Sequence, residues 1–168
     1  MIRLRQLRDS DTDLLFTWIN TRDLVVLSAP FREISREAHD RWFEEIRSSD
    51  DVRIFAIALE DDDRTIGYCQ LRKIDRISQN AELQIRIGDP SMQGRGAGTA
   101  AVRELLHYGL ETLKLHRIYL QVFRSNVRAQ RAYVKCGFVV EGVQRQAVRI
   151  DNAFEDIVMM AILSGERT

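Results

Sequence analysis

Apolar and polar positions along the chain change rhythm several times, and each rhythm predicts an element. Ala81 to Ile87 alternates strictly, with Leu83, Ile85 and Ile87 on one side and Glu82, Gln84 and Arg86 on the other. That period of two predicts a strand with one buried face. Ile2, Leu4 and Leu7 mark a short strand, and Leu14 to Asn20 an apolar helix after the polar turn Asp9 to Asp13. Ser35 is placed to cap a helix that carries Ala38, Trp42, Phe43 and Ile46 on one face. Val52 to Leu59 is short and almost wholly apolar, as a strand covered on both faces would be. The charged turn Glu60 to Arg64 leads into a returning strand, Thr65 to Leu71.

The second half continues the pattern. Val102, Leu105, Leu106, Gly109, Leu110 and Leu113 follow helical spacing. Arg117 to Phe123 is a strand. Asn126 opens a helix that stops at Cys136-Gly137, where Gly137 can take a left-handed cap. Phe138 to Glu141 and Glu155 to Leu163 are predicted as the last strands, joined by a polar excursion through Asp151-Asn152. The order β, α, α, β, β, β, α, β, α, β, β predicts an α/β (α+β) fold, a mixed sheet with helices on both faces. No linker or repeat divides residues 1–168, so a single domain is expected.

Composition narrows the function classes. Hydrophobic residues are 45% and charged residues 30% of the chain, and Lys+Arg equals Asp+Glu at 25 each. Such a balance argues against a dedicated nucleic-acid binder, which carries a basic excess. Cys69 and Cys136 both sit in apolar patterns and form no disulfide framework, which suits a reducing, cytoplasmic setting. The start of the chain, MIRLRQLRDSD, has no long apolar run, and Ile157 to Leu163 is too short to span a bilayer, so no membrane association is expected.

The chemistry concentrates at Gln93-Gly94-Arg95-Gly96-Ala97-Gly98-Thr99, between a strand and a helix. Glycines let the backbone approach a ligand closely, and the first amides of a helix lack internal acceptors and favour an anion. Arg95 adds a cation and Thr99 a hydroxyl. A Walker loop is excluded because no Lys precedes Thr99. A dinucleotide-binding loop is disfavoured although Gly96 to Ala101 fits G-x-G-x-x-A, because the next strand ends Gln121-Val122-Phe123-Arg124 with no acid for a ribose. Gln93, Gly96 and Gly98 satisfy a third pattern, Gln-x-x-Gly-x-Gly.

That loop resembles the pyrophosphate-binding signature of the GCN5-related N-acetyltransferase family. A second block, Asn126 through Ala129, Tyr133, Lys135 and Gly137-Phe138, is similar to that family's N-x-x-A-x-x-x-Y-x-K-x-G-F segment. The resemblance runs from about Val52 to Leu163, and the tail from Glu141-Gly142 to Met159-Met160 looks like the branch of ribosomal-protein, spermidine and nucleotide-aminosugar acetyltransferases. It implies the acetyl-CoA N-acyltransferase fold, with a mostly antiparallel seven-stranded sheet. It implies acetyl-CoA as co-substrate and acetyl transfer to a primary amine, and because no nucleophilic Ser or Cys has a partner base the transfer is expected to be direct.

The resemblance also implies roles. Amides from Arg95 to Gly98 would bind the pyrophosphate, and the strand Leu83 to Ile87, Arg86 included, would pair with the pantetheine arm, one of its amides facing the oxyanion. Asn126 caps its helix and would also bond that arm. Tyr133 would meet the departing thiolate as an acid, or else be a packed aromatic. Glu82 is the candidate base for the acceptor ammonium, or else a solvated strand-face charge. Arg128 and Arg131 would contact the coenzyme phosphates, or else be helix-surface cations.

Trp18, Phe31, His39 and Trp42 are candidate walls of an acceptor pocket on the first two helices. Core packing for the aromatics, and a surface position for His39, are the competing readings. Trp18-Ile19-Asn20 resembles a W-x-N pattern of aminosugar members. With Arg22, Arg32 and Trp42 it makes a nucleotide-linked aminosugar the first expected acceptor, ahead of a polyamine or a protein N-terminal amine. A non-catalytic acyl-CoA-binding regulatory module is the alternative. Asp9 to Asp13 mimics the start of a calcium loop but lacks its Gly and Glu, and the three histidines have no ligand spacing, so no metal is expected. An apolar edge at Ile157 to Leu163 would invite pairing, which makes a homodimer through the C-terminal strands an expectation.

Overall fold

The computed structural model describes residues 1–166, so residues 167 and 168 of the expected domain lie outside the described residues. Seven strands form one sheet in the order β1-β2-β3-β4-β5-β7-β6. They are β1 (Ile2–Gln6), β2 (Arg53–Leu59), β3 (Thr65–Asp75), β4 (Asn80–Ile87), β5 (Arg117–Phe123), β6 (Val139–Ile150) and β7 (Ala153–Leu163). All neighbours are antiparallel except β4 and β5, which are parallel. The helices are α1 (Thr12–Ile19), α2 (Arg22–Val25), α3 (Arg36–Ser48), α4 (Ala97–His107) and α5 (Val127–Val134).

The alternation along β2 splits the core. Ile57 faces the larger cluster, where α4 contributes Ala97, Ala101, Val102, Leu105 and Leu106 and β5 contributes Ile118 and Leu120. Ile54 and Ala56 face the other side, against Leu15 and Trp18 of α1 and Phe43 of α3. Helices therefore cover both faces, as the pattern predicted. Gly109, in a π-helical turn that extends α4, lies where a Cβ would come within 2.6 Å of Ile118 Cδ1 and 2.8 Å of Leu71 Cδ1. The apolar repeat continues past the end of α4 because that turn still packs on the sheet.

Two sequence expectations are corrected. The polar excursion after Glu141 is itself strand: β6 runs to Ile150 and turns at Asp151-Asn152 directly into β7. Its residues are mostly exposed, because β6 is the edge of the sheet, so its polarity reflects solvent rather than a loop. Accordingly Ile157 to Leu163 is no edge. It lies between β5 and β6, paired on both sides.

Asp11, in the polar turn that leads into α1, stands at the N-cap position of that helix and is buried there, its side chain only 2% exposed. It accepts two hydrogen bonds from Arg5, at 2.7 and 2.9 Å, one from the Arg8 amide at 2.8 Å and one from the Thr65 hydroxyl at 2.7 Å. This network ties the end of β1 to the start of β3. Burial opposes the Asp11 charge, yet the bonds from Arg5, Arg8 and Thr65 more than offset it and hold the carboxyl below its ordinary range. Folding thus expels its proton. The resulting stability is complete above about pH 4 and is lost as pH falls through the lowered value. Asp11→Asn is expected to cost about 3 kcal/mol in denaturant unfolding near neutrality. The difference from the wild type should shrink as pH falls below about 4. Equal acid sensitivity in both proteins would contradict this assignment.

Candidate active site

The parallel pair β4–β5 is short. Asn80, Ala81 and Glu82 pair with Arg117, Ile118 and Tyr119, and pairing stops there. Beyond Glu82, β4 stays bound to β3 while β5 stays bound to β7. The strands part as a V, and β4 from Leu83 to Ile87 has no strand partner on its β5 side. Such an edge can accept an extended ligand through main-chain hydrogen bonds.

The glycine loop sits at the open end of that V. Gly88 donates to the Ile66 carbonyl at 2.9 Å, and a Cβ on it would lie 2.0 Å from the Trp18 ring. Only a glycine lets the indole lie on the chain there. Asp89 accepts from the Ser91 amide at 2.8 Å and starts the turn Pro90–Met92. Bonds from Ser91, and the Arg64 ion pair, hold the Asp89 carboxyl below its usual range. Gly94 and Gly96 follow with φ of 74° and 87°, in the left-handed region, with open space where a Cβ would project. Gly96 caps α4 without a side chain, so the first helical amides face outward unscreened.

A cavity of about 480 Å³ joins the V to this loop. Gln93, Gly94, Gly96, Gly98 and Thr99 line it on one side, and Asn126, Arg128, Arg131 and Tyr133 on the other. Ile85, Arg86 and Ile87 form its floor. Gln93 donates to the Ile87 carbonyl at 3.2 Å and accepts from Arg128 at 3.4 Å, bridging loop and α5. Asn126 accepts from the Ala129 amide at 3.2 Å, the expected cap, and donates to the Leu27 carbonyl at 3.2 Å. Arg128, Arg131 and Lys135 give the cavity a cationic wall, and no Asp or Glu lines it among the described residues. Open glycines, helix amides and cations suit a diphosphate, and the free strand edge suits an amide-bearing arm.

The remaining candidates lie elsewhere. Arg95 is exposed outside the cavity wall, while Ala97 and Leu83 are core residues. Glu82 is 5% exposed and does not line the cavity. Its carboxylate lies 2.8 Å from the Lys73 ammonium and 3.8 Å from Arg72, and accepts from Gln84 at 3.3 Å. It is a buried, paired charge rather than a solvated one. Trp18 and Trp42 pack in the α1–α3 core cluster. His39, expected on the surface or in a pocket, is 2% exposed and bonds the Thr12 carbonyl from Nε2 at 3.1 Å. Burial lowers its pKa, so it holds neutral imidazole in the core. Phe31 is half-buried in the segment after α2 and does not line the cavity.

The sequence reading missed Leu24, Leu27, Ser28 and Gln121, all of which line the cavity. One turn of helix at Arg22–Val25 is too short to show a period. Gln121 carried a signal, as the polar residue between buried Leu120 and Val122. Among the described residues no group of His, Cys, Asp and Glu could hold a metal, and no helix is long and apolar enough to cross a membrane.

Comparison with known proteins gives concordant results. The family model for the acetyltransferase (GNAT) domain matches residues 2–139. Spermidine N(1)-acetyltransferase of Vibrio cholerae is 37% identical over 101 residues, 60% of this chain and 58% of that protein. Ribosomal-protein-serine acetyltransferase of Escherichia coli is 27% identical over 110 residues, 66% of this chain and 60% of that protein. Each match spans less than two thirds of the relative's own length. A solved structure, spermidine N-acetyltransferase from Vibrio cholerae in complex with CoA and spermine, superposes with a TM-score of 0.90. It is 28% identical and covers 98% of this chain and 96% of that one. The aminosugar expectation gains no support from these names. The residues behind it are otherwise engaged too: Trp18 in the core, Asn20 in bonds to Ile34, and Arg22 in an ion pair with Asp151.

Tyr133 offers a check on the site itself. Its phenol lines the cavity next to dense packing from Phe138, and burial pushes its pKa up to about 12. Of the 4 tyrosines, Tyr133 is expected to be the one whose phenolate absorbance appears last in an alkaline titration, and Tyr133→Phe should remove that late step. Loss of an early step instead would contradict the enclosed setting.

Proposed function

The chain belongs to the GNAT acetyltransferase family, and from that premise we propose that it moves the acetyl group of acetyl-CoA directly onto the primary amine of a small molecule. The parting of β4 from β5 beside an open glycine loop carries this reading. Acetyl-CoA supplies an activated acyl thioester. The amides of Gly94 to Thr99, with Arg128 and Arg131, hold its diphosphate, and the free edge of Ile85 to Ile87 orients its extended arm. Holding donor and acceptor in line removes much of the entropic cost of their encounter.

Two protons have to be placed. Tyr133 keeps its phenol protonated at neutral pH because burial raises it to about 12. It therefore stands as a hydrogen-bond donor toward the sulfur and yields its proton only as charge collects there. A thiol's ordinary value of about 8.5 means that complete early transfer is uphill, so the hydrogen bond does most of the work. The acceptor must shed a proton before its lone pair can attack. Glu82 is the proposed sink, reached through water, because it marks the point where the V opens. Its pairing with Lys73 fixes the carboxylate in place.

The names of the relatives support a small amine such as a polyamine as acceptor, and a protein amine behind it. The exposed edge β6, with Val139, Val140 and Val143 at 56%, 52% and 44% exposure, supports association of two copies. The alternative of a non-catalytic acyl-CoA module has no observation in its favour.

Thiol release from acetyl-CoA with a panel of amines tests the reading. Tyr133→Phe is expected to lower kcat by about 100-fold or more while coenzyme A still binds by calorimetry. Unchanged turnover would remove Tyr133 from the acid role. No turnover by the wild type, with no heat from coenzyme A, would overturn the assignment as a whole.

A further inference from the structure

One charged side chain in the cavity is not explained by coenzyme binding. Arg86 stands on β4 in register with Tyr68 of β3, and Gln84 stands in register with Gln70. Alternation places Arg86 and Gln84 on the face covered by α1 to α3, opposite Ile85 and Ile87, which pack on the α4 side. The glycine loop and α5 therefore lie across the sheet from this guanidinium. Its neighbours are neutral. Nη1 donates to the Tyr68 hydroxyl and Nη2 to the Ser28 hydroxyl, both at 3.3 Å, and the group lies 5.9 Å from the centre of the Tyr68 ring. No ion pair to Arg86 exists among the described residues, although it is half-buried.

A half-buried guanidinium held by two long bonds to hydroxyls keeps donors in reserve. It shares the cavity wall with Leu24, Leu27 and Ser28, and bonds the last of these. A polycation entering there would meet a fixed positive charge and no acid on the cavity wall. Like charge against like charge in a half-buried cleft is costly. An amine that carries its own anion would instead complete a charge-assisted pair.

We infer that Arg86 is a specificity residue of the acceptor site, which selects primary amines bearing a carboxylate or phosphate group over polyamines. This rests on the acetyltransferase reading and departs from the acceptor that the relatives' names suggest. The anion is bound through Arg86, the Tyr68 ring fixes the guanidinium plane, and the amine is left to point along the V toward the thioester.

The test compares wild type, Arg86→Gln, Arg86→Lys and Arg86→Glu by thiol release from acetyl-CoA. Matched acceptors are ethanolamine and phosphoethanolamine, butylamine and 4-aminobutyrate, and spermidine as the polycation. The first two pairs separate phosphate from carboxylate. Wild type is expected to prefer the anionic member of at least one pair in kcat/KM, and Arg86→Gln to cut that preference by about 10- to 100-fold. Arg86→Lys should retain part of it, and Arg86→Glu should turn it toward spermidine, with coenzyme A weakened by less than tenfold in Arg86→Gln. The inference alone is overturned by an unchanged preference in Arg86→Gln, by a wild type that favours spermidine, or by coenzyme A binding with no anionic amine turned over. It is also overturned if Arg86→Gln weakens coenzyme A more than tenfold, which would make Arg86 a coenzyme contact. A wild type that binds no coenzyme A overturns the acetyltransferase reading and this inference with it.

Discussion

Every feature of the site follows from an interrupted strand pairing. A parallel ladder between β4 and β5 that ran to their ends would close the sheet and leave no cleft. It stops after Glu82, and each strand keeps its other neighbour: β3 holds β4, and β7 holds β5. The exposed edge is thus held by a strand on one side and, apart from the Gln93 bond to the Ile87 carbonyl, open on the other. Unpaired backbone groups in a half-buried cleft are costly unless something bonds them. That cost is what an extended, amide-bearing ligand would relieve. The glycine loop lies at the mouth of the same opening because β4 leads straight into it, through Gly88 under the Trp18 ring.

The two faces of the sheet divide the labour. α4 and α5 lie on one side with the loop, the cationic wall and Tyr133. α1 to α3 cover the other side, with Arg86, Tyr68, Gln84 and Glu82 on the strand face beneath them. Two contacts bring the segment around α2 to the cleft. Asn126 donates to the Leu27 carbonyl, and Arg22 pairs with Asp151 in the β6–β7 turn. One residue, Asn126, thereby caps α5 and anchors the opposite wall. The family likeness bears first on the face that holds the glycine loop. The acceptor role proposed for Arg86 lies on the other face and rests on one side chain.

Much of this was legible in the sequence. The strict alternation from Ala81 to Ile87 gave the strand and both of its faces. The glycines gave the loop, and Asn126 with Tyr133 gave the opposing helix. What failed to show had physical reasons. β6 reads as a polar loop because an edge strand keeps water on most of its residues. α2 has too few residues to display a period. The burial of His39 and Asp11 does not show in the sequence because it depends on partners that the fold brings together, the Thr12 carbonyl for one and Arg5 with Thr65 for the other. Trp18 resembled a pocket wall, and only the missing side chain at Gly88 explains why it packs inward instead.

Residue-resolved amide hydrogen exchange with and without coenzyme A tests the central claim most directly. Occupation of the V should slow exchange within Ile85 to Ile87 and Gly94 to Thr99 by tenfold or more, the slowing that about 1.4 kcal/mol of added protection gives. The edge strand β6 should exchange as before. Slowing confined to other segments, or none at saturating coenzyme, would contradict the account.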